Sequence, residues 1–279
     1  MLLKAKELFE RGEHVGILVP ERPSLDCLAA SEVLVRGLVA EEKQVGFLRA
    51  PRWDAVSLWD QMPHVAHADP LPKEFIISVD TTQTPISQLR YEKQENKIDV
   101  ILSPKSSPLR DGFVSFREGK LLCDTLVTLG VADIEKESAG IDMSPEFFTD
   151  TPILNIDHHD SNRHYGEVNL VDSSRSSLAE LVYDLFSESK NGETFNSDQS
   201  TLLLAGILAS THGLTSAATG AHTFAITADL IRRGGSYSKA REIVQRSTPI
   251  PLLQLLGRAS IRSITDSSRG VLWSFLTAE

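Results

Sequence analysis

The most constraining feature of this chain is an apolar strand that leads directly into an acid and two imidazoles, Ile153-Leu154-Asn155-Ile156-Asp157-His158-His159. In a parallel α/β sheet, ligands bind at the carboxyl ends of the strands. Asp and His side chains are ligands for divalent metals such as zinc and manganese. The alternative is a polar turn, but adjacent side chains at a strand end point to different sides, and each then needs a polar partner. The run therefore predicts a metal-binding site at a sheet edge.

Composition narrows the classes of protein to which the chain can belong. Its 279 residues are enough for one large α/β domain or two smaller ones, and the formal net charge is −10. That charge argues against generic binding of duplex nucleic acid, which requires clustered Lys and Arg. The two cysteines cannot form a disulfide scaffold. No apolar run reaches membrane-spanning length, and no signal-peptide pattern opens the chain, so we expect a cytoplasmic protein without membrane partners.

The N-terminal part alternates strands and helices. His14–Val19 is an apolar strand, and Asp26–Val39 has apolar residues at helical spacing. Val45–Leu48 and Phe75–Val79 read as further strands, and the latter ends at Asp80. This rhythm predicts βαβ units and a parallel sheet with helices on both faces.

A different pattern interrupts this rhythm at about residues 84–120, which we interpret as an insertion. Leu89–Lys93 and Ile98–Leu102 flank a short polar turn and predict a β-hairpin. We expect Leu121–Leu129 to be a helix and Ile153–Ile156 to be the strand that presents Asp157.

The C-terminal half is predicted to be mostly helical. Apolar spacing favours helices at Ser177–Ser187, Asp198–Thr211, Ala221–Arg233, Ser238–Arg246 and Ile250–Ser260. Arg269–Leu276 then reads as a strand, either added at a sheet edge or opening a second domain. We expect residues 1–265 to form one α/β domain, and residues 266–279 to be a strand leading toward an absent or vestigial second domain.

The segment from Asp157 to Asp172, DHHDSNRHYGEVNLVD, resembles the DHH phosphoesterase superfamily, which includes RecJ-like exonucleases and oligoribonuclease/pAp phosphatases. Asn162, Gly166 and the second apolar strand fit the family pattern, and Ser176–Tyr183 fits the start of its next helix. The resemblance covers about residues 14–276 and implies the family's N-terminal domain. It also implies two divalent metals, usually manganese, about 3.5–4 Å apart, that clamp the oxygens of a phosphoryl transfer.

Four motifs supply the metal ligands in this family, and two are well preserved here. By resemblance, Asp80 bridges both metals and His158 is a metal ligand. His159 faces the substrate phosphate, while Asp157 orients its neighbours; these two are the candidate catalytic residues. From the first motif the second aspartate survives as Asp26.

Three expected ligands are missing, because Pro20, Ser24 and Ser210 stand where the family has a histidine and two aspartates. Glu21 is an alternative ligand near the first motif. What remains for metal is Asp26, Asp80 and His158, which implies at most one divalent ion, manganese by resemblance.

Three functions remain open on this sequence. The first is a DHH-fold protein whose two-metal site is partly lost, inactive or impaired in hydrolysis, that binds nucleotide, phosphate or a protein partner. The second is a divergent metal-dependent phosphodiesterase or phosphatase acting on short oligonucleotides or nucleotide phosphates. The third is a nucleotide or phosphate sensor that uses His158 and His159 without turnover. A homodimer is compatible with each.

Overall fold

The structure is a computed structural model that describes residues 1–53, 56–109, 111–141, 145–187, 195–247 and 250–275. The chain divides into two compact units. Unit 1 comprises Met1–Leu71 and Cys123–Glu279, and unit 2 comprises Pro72–Leu122. The last four residues of the predicted C-terminal strand segment, 276–279, lie outside the described residues.

Unit 1 contains ten helices and seven strands among its described residues. The helices are α1 (Leu2–Arg11), α2 (Leu25–Ala40), α3 (Pro63–Ala66), α4 (Ile134–Glu137), α5 (Pro145–Asp150), α6 (Leu178–Ser187), α7 (Ser197–Ser210), α8 (Ala221–Arg232), α9 (Tyr237–Ser247) and α10 (Ile250–Ile261). The strands are β1 (His14–Leu18), β2 (Gln44–Phe47), β7 (Thr125–Leu129), β8 (Ile153–Asp157), β9 (Val168–Val171), β10 (Ile264–Asp266) and β11 (Val271–Trp273). Strands β3 (Lys73–Val79), β4 (Ile86–Gln94), β5 (Lys97–Pro104) and β6 (Val114–Leu121) belong to unit 2.

A five-stranded parallel sheet in the order β2-β1-β7-β8-β9 forms the centre of unit 1. Its central strands are short apolar runs, as expected for strands that are covered on both faces. Ile17, Val127 and Ile156 point into the larger core, which includes the apolar residues of α2, α6 and α7. Leu18 and Leu126 point to the opposite face, against the side chains of α4 and α5. The predicted α/β fold with helices on both faces is confirmed.

The structure contradicts two of the predictions, one of a helix and one of the sheet that a strand joins. Leu121–Leu129 was expected to be helical, but it contains the end of β6 and the whole of β7, a fully buried central strand rich in β-branched residues. Phe75–Val79 was expected to join the parallel sheet, but β3 pairs antiparallel with β6 in unit 2. Local periodicity identifies a strand without specifying which sheet it joins.

Unit 2 consists of two antiparallel ribbons. The predicted hairpin is present as β4 and β5, with Tyr91 opposite Val100. In the other ribbon Ile77 lies opposite Phe116, and the rings of Phe75 and Phe116 stack with centroids 5.7 Å apart.

The C-terminal part of unit 1 differs from its core. No residue of α10 is buried, and β10 pairs only with β11 as a short antiparallel hairpin. The predicted helix at Ile250–Ser260 is present, and the predicted strand is reduced to Val271–Trp273. Within the described part of the chain, no helix is long and apolar enough to span a membrane.

Helices α2, α6 and α7 pack closely beside the sheet, and Gly206 of α7 makes this possible. A Cβ atom on Gly206 would lie 2.9 Å from Oδ1 of Asp26 on α2 and 3.0 Å from the Cβ of Ala179 on α6. Both distances are shorter than ordinary van der Waals contact. The absence of a side chain at residue 206 therefore sets how near α7 comes to the other two helices.

We expect Gly206→Ala to destabilise the protein by about 1–3 kcal/mol, because overpacking forces α7 away from Asp26. Urea unfolding measures this. Gly257→Ala is the matched control: it also lies within a helix, α10, but its added methyl meets open space. It should stabilise by up to about 1 kcal/mol through helix propensity. Equal effects of the two substitutions would contradict the packing argument.

Candidate functional site

The candidate site lies where the strand order of the parallel sheet reverses. The chain runs from β1 to β2 on one side of β1 and later continues with β7 on its other side, so the strand order reverses between β1 and β7. Crevices at the carboxyl ends of strands at such a reversal are the usual ligand sites of open α/β sheets. A cavity of about 440 Å³ opens at this point, with polar lining from Ser24, Asp26, His158, His159 and Ser210 and further lining from Pro20, Leu25, Cys27, Gly130, Leu178 and Ala209.

Ser24 begins α2 at the rim of this cavity. Its backbone is extended, and its side-chain oxygen accepts a hydrogen bond from the backbone N–H of Cys27 at 3.1 Å. This is the N-cap arrangement that Ser, Asp and Asn all favour. Ser24 therefore stands in place of a family ligand and has a structural role of its own.

The carboxylate of Asp26 is buried and spans from α2 to the start of α6. Its Oδ2 accepts the backbone N–H of Leu178 at 2.7 Å, and its Oδ1 accepts that of Ala179 at 3.0 Å. Burial disfavours the charged form and raises the pKa of Asp26 to about 7, although these two N–H groups oppose the shift. The carboxylate thus replaces the missing backbone partners at the first turn of α6.

Asp157 is the last residue of β8 and holds the turn that follows. Its Oδ1 accepts the backbone N–H groups of His158 and His159 at 2.8 and 3.2 Å. The same oxygen lies 2.7 Å from Nδ1 of His159, and Oδ2 accepts from Nδ2 of Asn162 at 2.7 Å. Burial favours the neutral acid, yet the bonds from His159 and Asn162 outweigh it and hold the pKa of Asp157 below its usual range.

The two DHH imidazoles differ in environment. Their ring centroids lie 4.2 Å apart, and Nε2 of His158 is 4.0 Å from Oδ2 of Asp26. Burial and the neighbouring His159 lower the pKa of His158. The hydrogen bond to Asp157 raises the pKa of His159, whose side chain is 56% exposed. His159 is therefore the more accessible of the two to a ligand.

A buried amide network beneath the turn was missed by the sequence reasoning. Nδ2 of Asn155 donates to Oδ1 of Asn162 at 2.7 Å and to Oδ1 of Asn169 at 3.0 Å. Asn162 in turn donates to the carbonyl of Val131 as well as to Asp157. An asparagine in the middle of an apolar strand was the available signal, since a buried amide requires partners.

The other substituted motif positions are also engaged with protein groups. The hydroxyl of Ser210, at the end of α7, donates to the carbonyl of Ser176. Glu21, the alternative ligand near the first motif, pairs with Arg52 at 2.6 Å. Pro20 also lines the cavity, with a side chain that cannot bind a metal.

Asp80 belongs to unit 2, where it follows β3. Its Oδ1 accepts the backbone N–H of Thr82 at 2.9 Å and the Thr82 hydroxyl at 2.5 Å, and these bonds lower the pKa of the carboxyl. This is a local turn of the kind Asp commonly forms. Its role as a metal ligand stays a prediction.

The donors that the described part of unit 1 brings to the cavity are too few for two divalent ions. Of the predicted ligands, the described part of unit 1 offers the cavity one carboxylate, Asp26, and one partly buried imidazole, His158. Among the residues that the structure describes, no group of three or more His, Cys, Asp or Glu side chains is arranged to hold an ion. Two-metal sites of phosphoryl-transfer enzymes require several ligands for each ion.

Comparison with curated proteins gives short but consistent similarities. A bifunctional oligoribonuclease and PAP phosphatase NrnA of Bacillus subtilis is 38% identical over 60 residues, which is 21% of this chain and 19% of that protein. A probable protein of the same description from Streptococcus mutans is 34% identical over 80 residues, 29% of this chain and 25% of that one. The matches thus span about a fifth to a quarter of these relatives. No protein-family profile matches the chain.

A solved structure extends the likeness to nearly the whole chain. An exopolyphosphatase-related protein from Bacteroides fragilis superimposes with a TM-score of 0.63 over 95% of this chain and 66% of its own. The sequence identity is 14%, so this similarity concerns the fold.

The raised pKa of Asp26 predicts a pH dependence of stability. The native carboxyl keeps its proton between about pH 4, where an unfolded Asp loses it, and about pH 7. Because the native state binds more protons in this window, the free energy of unfolding should fall as pH rises through it. Asp26→Asn should remove that slope, measured as urea midpoints against pH.

Asp80→Asn serves as the control for this experiment. The pKa of Asp80 is lowered, so its contribution to stability is present above about pH 4 and is lost only at lower pH. This variant should leave the slope between pH 4 and pH 7 intact. A slope that persists in Asp26→Asn would show that another group is responsible.

Proposed function

This chain belongs to the DHH phosphoesterase superfamily, and we propose that it binds a phosphate-bearing ligand, a nucleotide or a short oligonucleotide, with two-metal hydrolysis lost or strongly impaired. The ligand would occupy the cavity at the strand-order reversal. We propose a cytoplasmic location as well, because a chain with two cysteines fits a reducing compartment.

One observation carries the proposal: the described lining of the cavity keeps both DHH imidazoles but has fewer carboxylates than the family pattern implies. His158 and His159 line it together with two hydroxyl groups, from Ser24 and Ser210, at positions where the family has aspartates. An imidazole N–H and the Ser24 hydroxyl can donate to phosphate oxygens, while the Ser210 hydroxyl donates to the carbonyl of Ser176 and contributes no charge. These groups cannot hold two divalent cations against the charge repulsion between the ions.

The names of the relatives support the ligand class. The Bacillus subtilis protein is named as a bifunctional oligoribonuclease and PAP phosphatase, and the Streptococcus mutans protein as a probable one. Because the matched segments are short, we carry over the ligand class and not the activity.

The alternative is a divergent metal-dependent phosphodiesterase or phosphatase. It is favoured by the approach of His158 to Asp26, 4.0 Å between Nε2 and Oδ2, which gives one ion two donors. Such an enzyme would need further ligands, and Asp80 is the residue that the sequence nominates. One bound ion could polarise a phosphoryl oxygen, but it would not clamp both the attacking and the leaving oxygen.

We expect adenosine 3′,5′-bisphosphate (PAP) to bind the wild-type protein in isothermal titration calorimetry. His159→Ala should weaken binding by about tenfold or more, equivalent to about 1.4 kcal/mol, because it removes the accessible imidazole of the cavity. The matched control is His67→Ala, which removes an exposed histidine that does not line the cavity. Equal weakening in both variants, or no binding by wild type, would count against the proposal.

Hydrolysis distinguishes the two candidate functions. With manganese present, we expect the protein to cleave PAP and short oligoribonucleotides at least about a thousandfold more slowly than the Bacillus subtilis relative assayed beside it, a loss of about 4 kcal/mol of transition-state stabilisation. The missing ligands are the physical reason. Rapid cleavage that disappears in Asp80→Ala would establish the alternative instead.

A further inference from the structure

We propose that phosphate binding in this cavity needs no divalent ion. This inference rests on the proposed function and specifies how the same cavity recognises its ligand. It follows from the mismatch between the family's metal requirement and the groups that this chain places there.

The cavity carries less negative charge for an ion to offset than the family pattern implies. In the family pattern, aspartates at the positions of Ser24 and Ser210 would add two negative charges to the cavity. A phosphate could then enter only alongside cations, because like charges a few ångströms apart repel strongly in a partly buried site. With hydroxyl groups at both positions, this repulsion is absent.

The two carboxyl groups that remain nearby, Asp26 and Asp157, are hydrogen-bonded to the protein. Both oxygens of Asp26 accept backbone N–H groups at the start of α6. Asp157 accepts two backbone N–H groups and the amide of Asn162. Each carboxyl group is therefore hydrogen-bonded to protein donors, so a cation is not its only available partner.

The start of α2 and the polar side chains beside it can attract a phosphate. The first turn of α2 lines the cavity with Leu25, Asp26 and Cys27, and a helix of 16 residues carries a partial positive charge at this end. The oxygen of Ser24 accepts from Cys27, which leaves its hydroxyl hydrogen able to donate to a phosphate oxygen. Together with the accessible imidazole of His159, these groups supply hydrogen-bond donors, and no Lys or Arg is among the described lining residues.

The direct test compares PAP binding by calorimetry in excess EDTA and in excess manganese. We expect the two dissociation constants to agree within about threefold, or about 0.7 kcal/mol. Binding that appears only with manganese would overturn the inference while leaving the proposed function standing. No binding in either buffer would overturn the proposed function as well.

Substitution of Ser24 tests the charge argument without disturbing the helix. Asp and Asn are both strong N-caps, so Ser24→Asp and Ser24→Asn should each preserve the start of α2. In EDTA, Ser24→Asp should weaken PAP binding by about tenfold or more, and manganese should restore it. Ser24→Asn, of the same size as aspartate but uncharged, should weaken binding less than Ser24→Asp, and manganese should leave its affinity unchanged.

Each contrary result of this pair is informative. If Ser24→Asn weakens binding as much as Ser24→Asp, then size and not charge limits the cavity, and the inference fails. If neither variant changes binding, the ligand does not lie near the start of α2, and the inference also fails. Thermal melts of both variants verify that the fold is intact.

Discussion

The buried carboxylate of Asp26 connects the helices that enclose the cavity. It extends from the first turn of α2 to the first two N–H groups of α6, and Gly206 lets α7 approach the same carboxylate. The site depends on this contact, because three helices from distant parts of the chain meet there beside the carboxyl ends of β1 and β8. A residue that reads as a metal ligand in the family pattern is a structural link in this fold.

The side chains at the other motif positions also make hydrogen bonds that hold the fold together. The oxygen of Ser24 caps α2, the hydroxyl of Ser210 bonds the carbonyl before α6, and Asp157 organises the turn that carries the imidazoles. Each group would have to share its hydrogen-bonding capacity if it also bound a cation. The DHH turn keeps its shape in this setting because its aspartate accepts the backbone N–H groups of His158 and His159.

Much of the fold could be predicted from the chain, because apolar runs and helical spacing act locally. The five helices of the C-terminal half appear within a residue or two of their expected bounds. The hairpin of unit 2 is also present where it is expected, with longer strands. The failures are non-local. Thr125–Leu129 is apolar enough for either a helix or a strand, and only its place between β1 and β8 decides. Phe75–Val79 has the composition of a sheet strand, but its partner is β6, which the sequence does not identify.

Within the site, Asp157, His158 and His159 were predictable as a unit from their adjacency, and the structure brings Asp26 close to His158. The Asn155 network was not predicted, because its bonds join residues from two strands and a turn.

The N-cap at Ser24 has a consequence for how such a pocket can change over time. Serine, asparagine and aspartate all start a helix well, and their codons are linked by single-base changes, from AGC through AAC to GAC. A lineage can therefore move this position between a neutral hydroxyl, a neutral amide and a negative carboxylate while α2 keeps its first turn. Selection for folding does not distinguish these states, so the electrostatic character of the pocket is free to drift, or to be selected for a new ligand, at almost no cost to the scaffold.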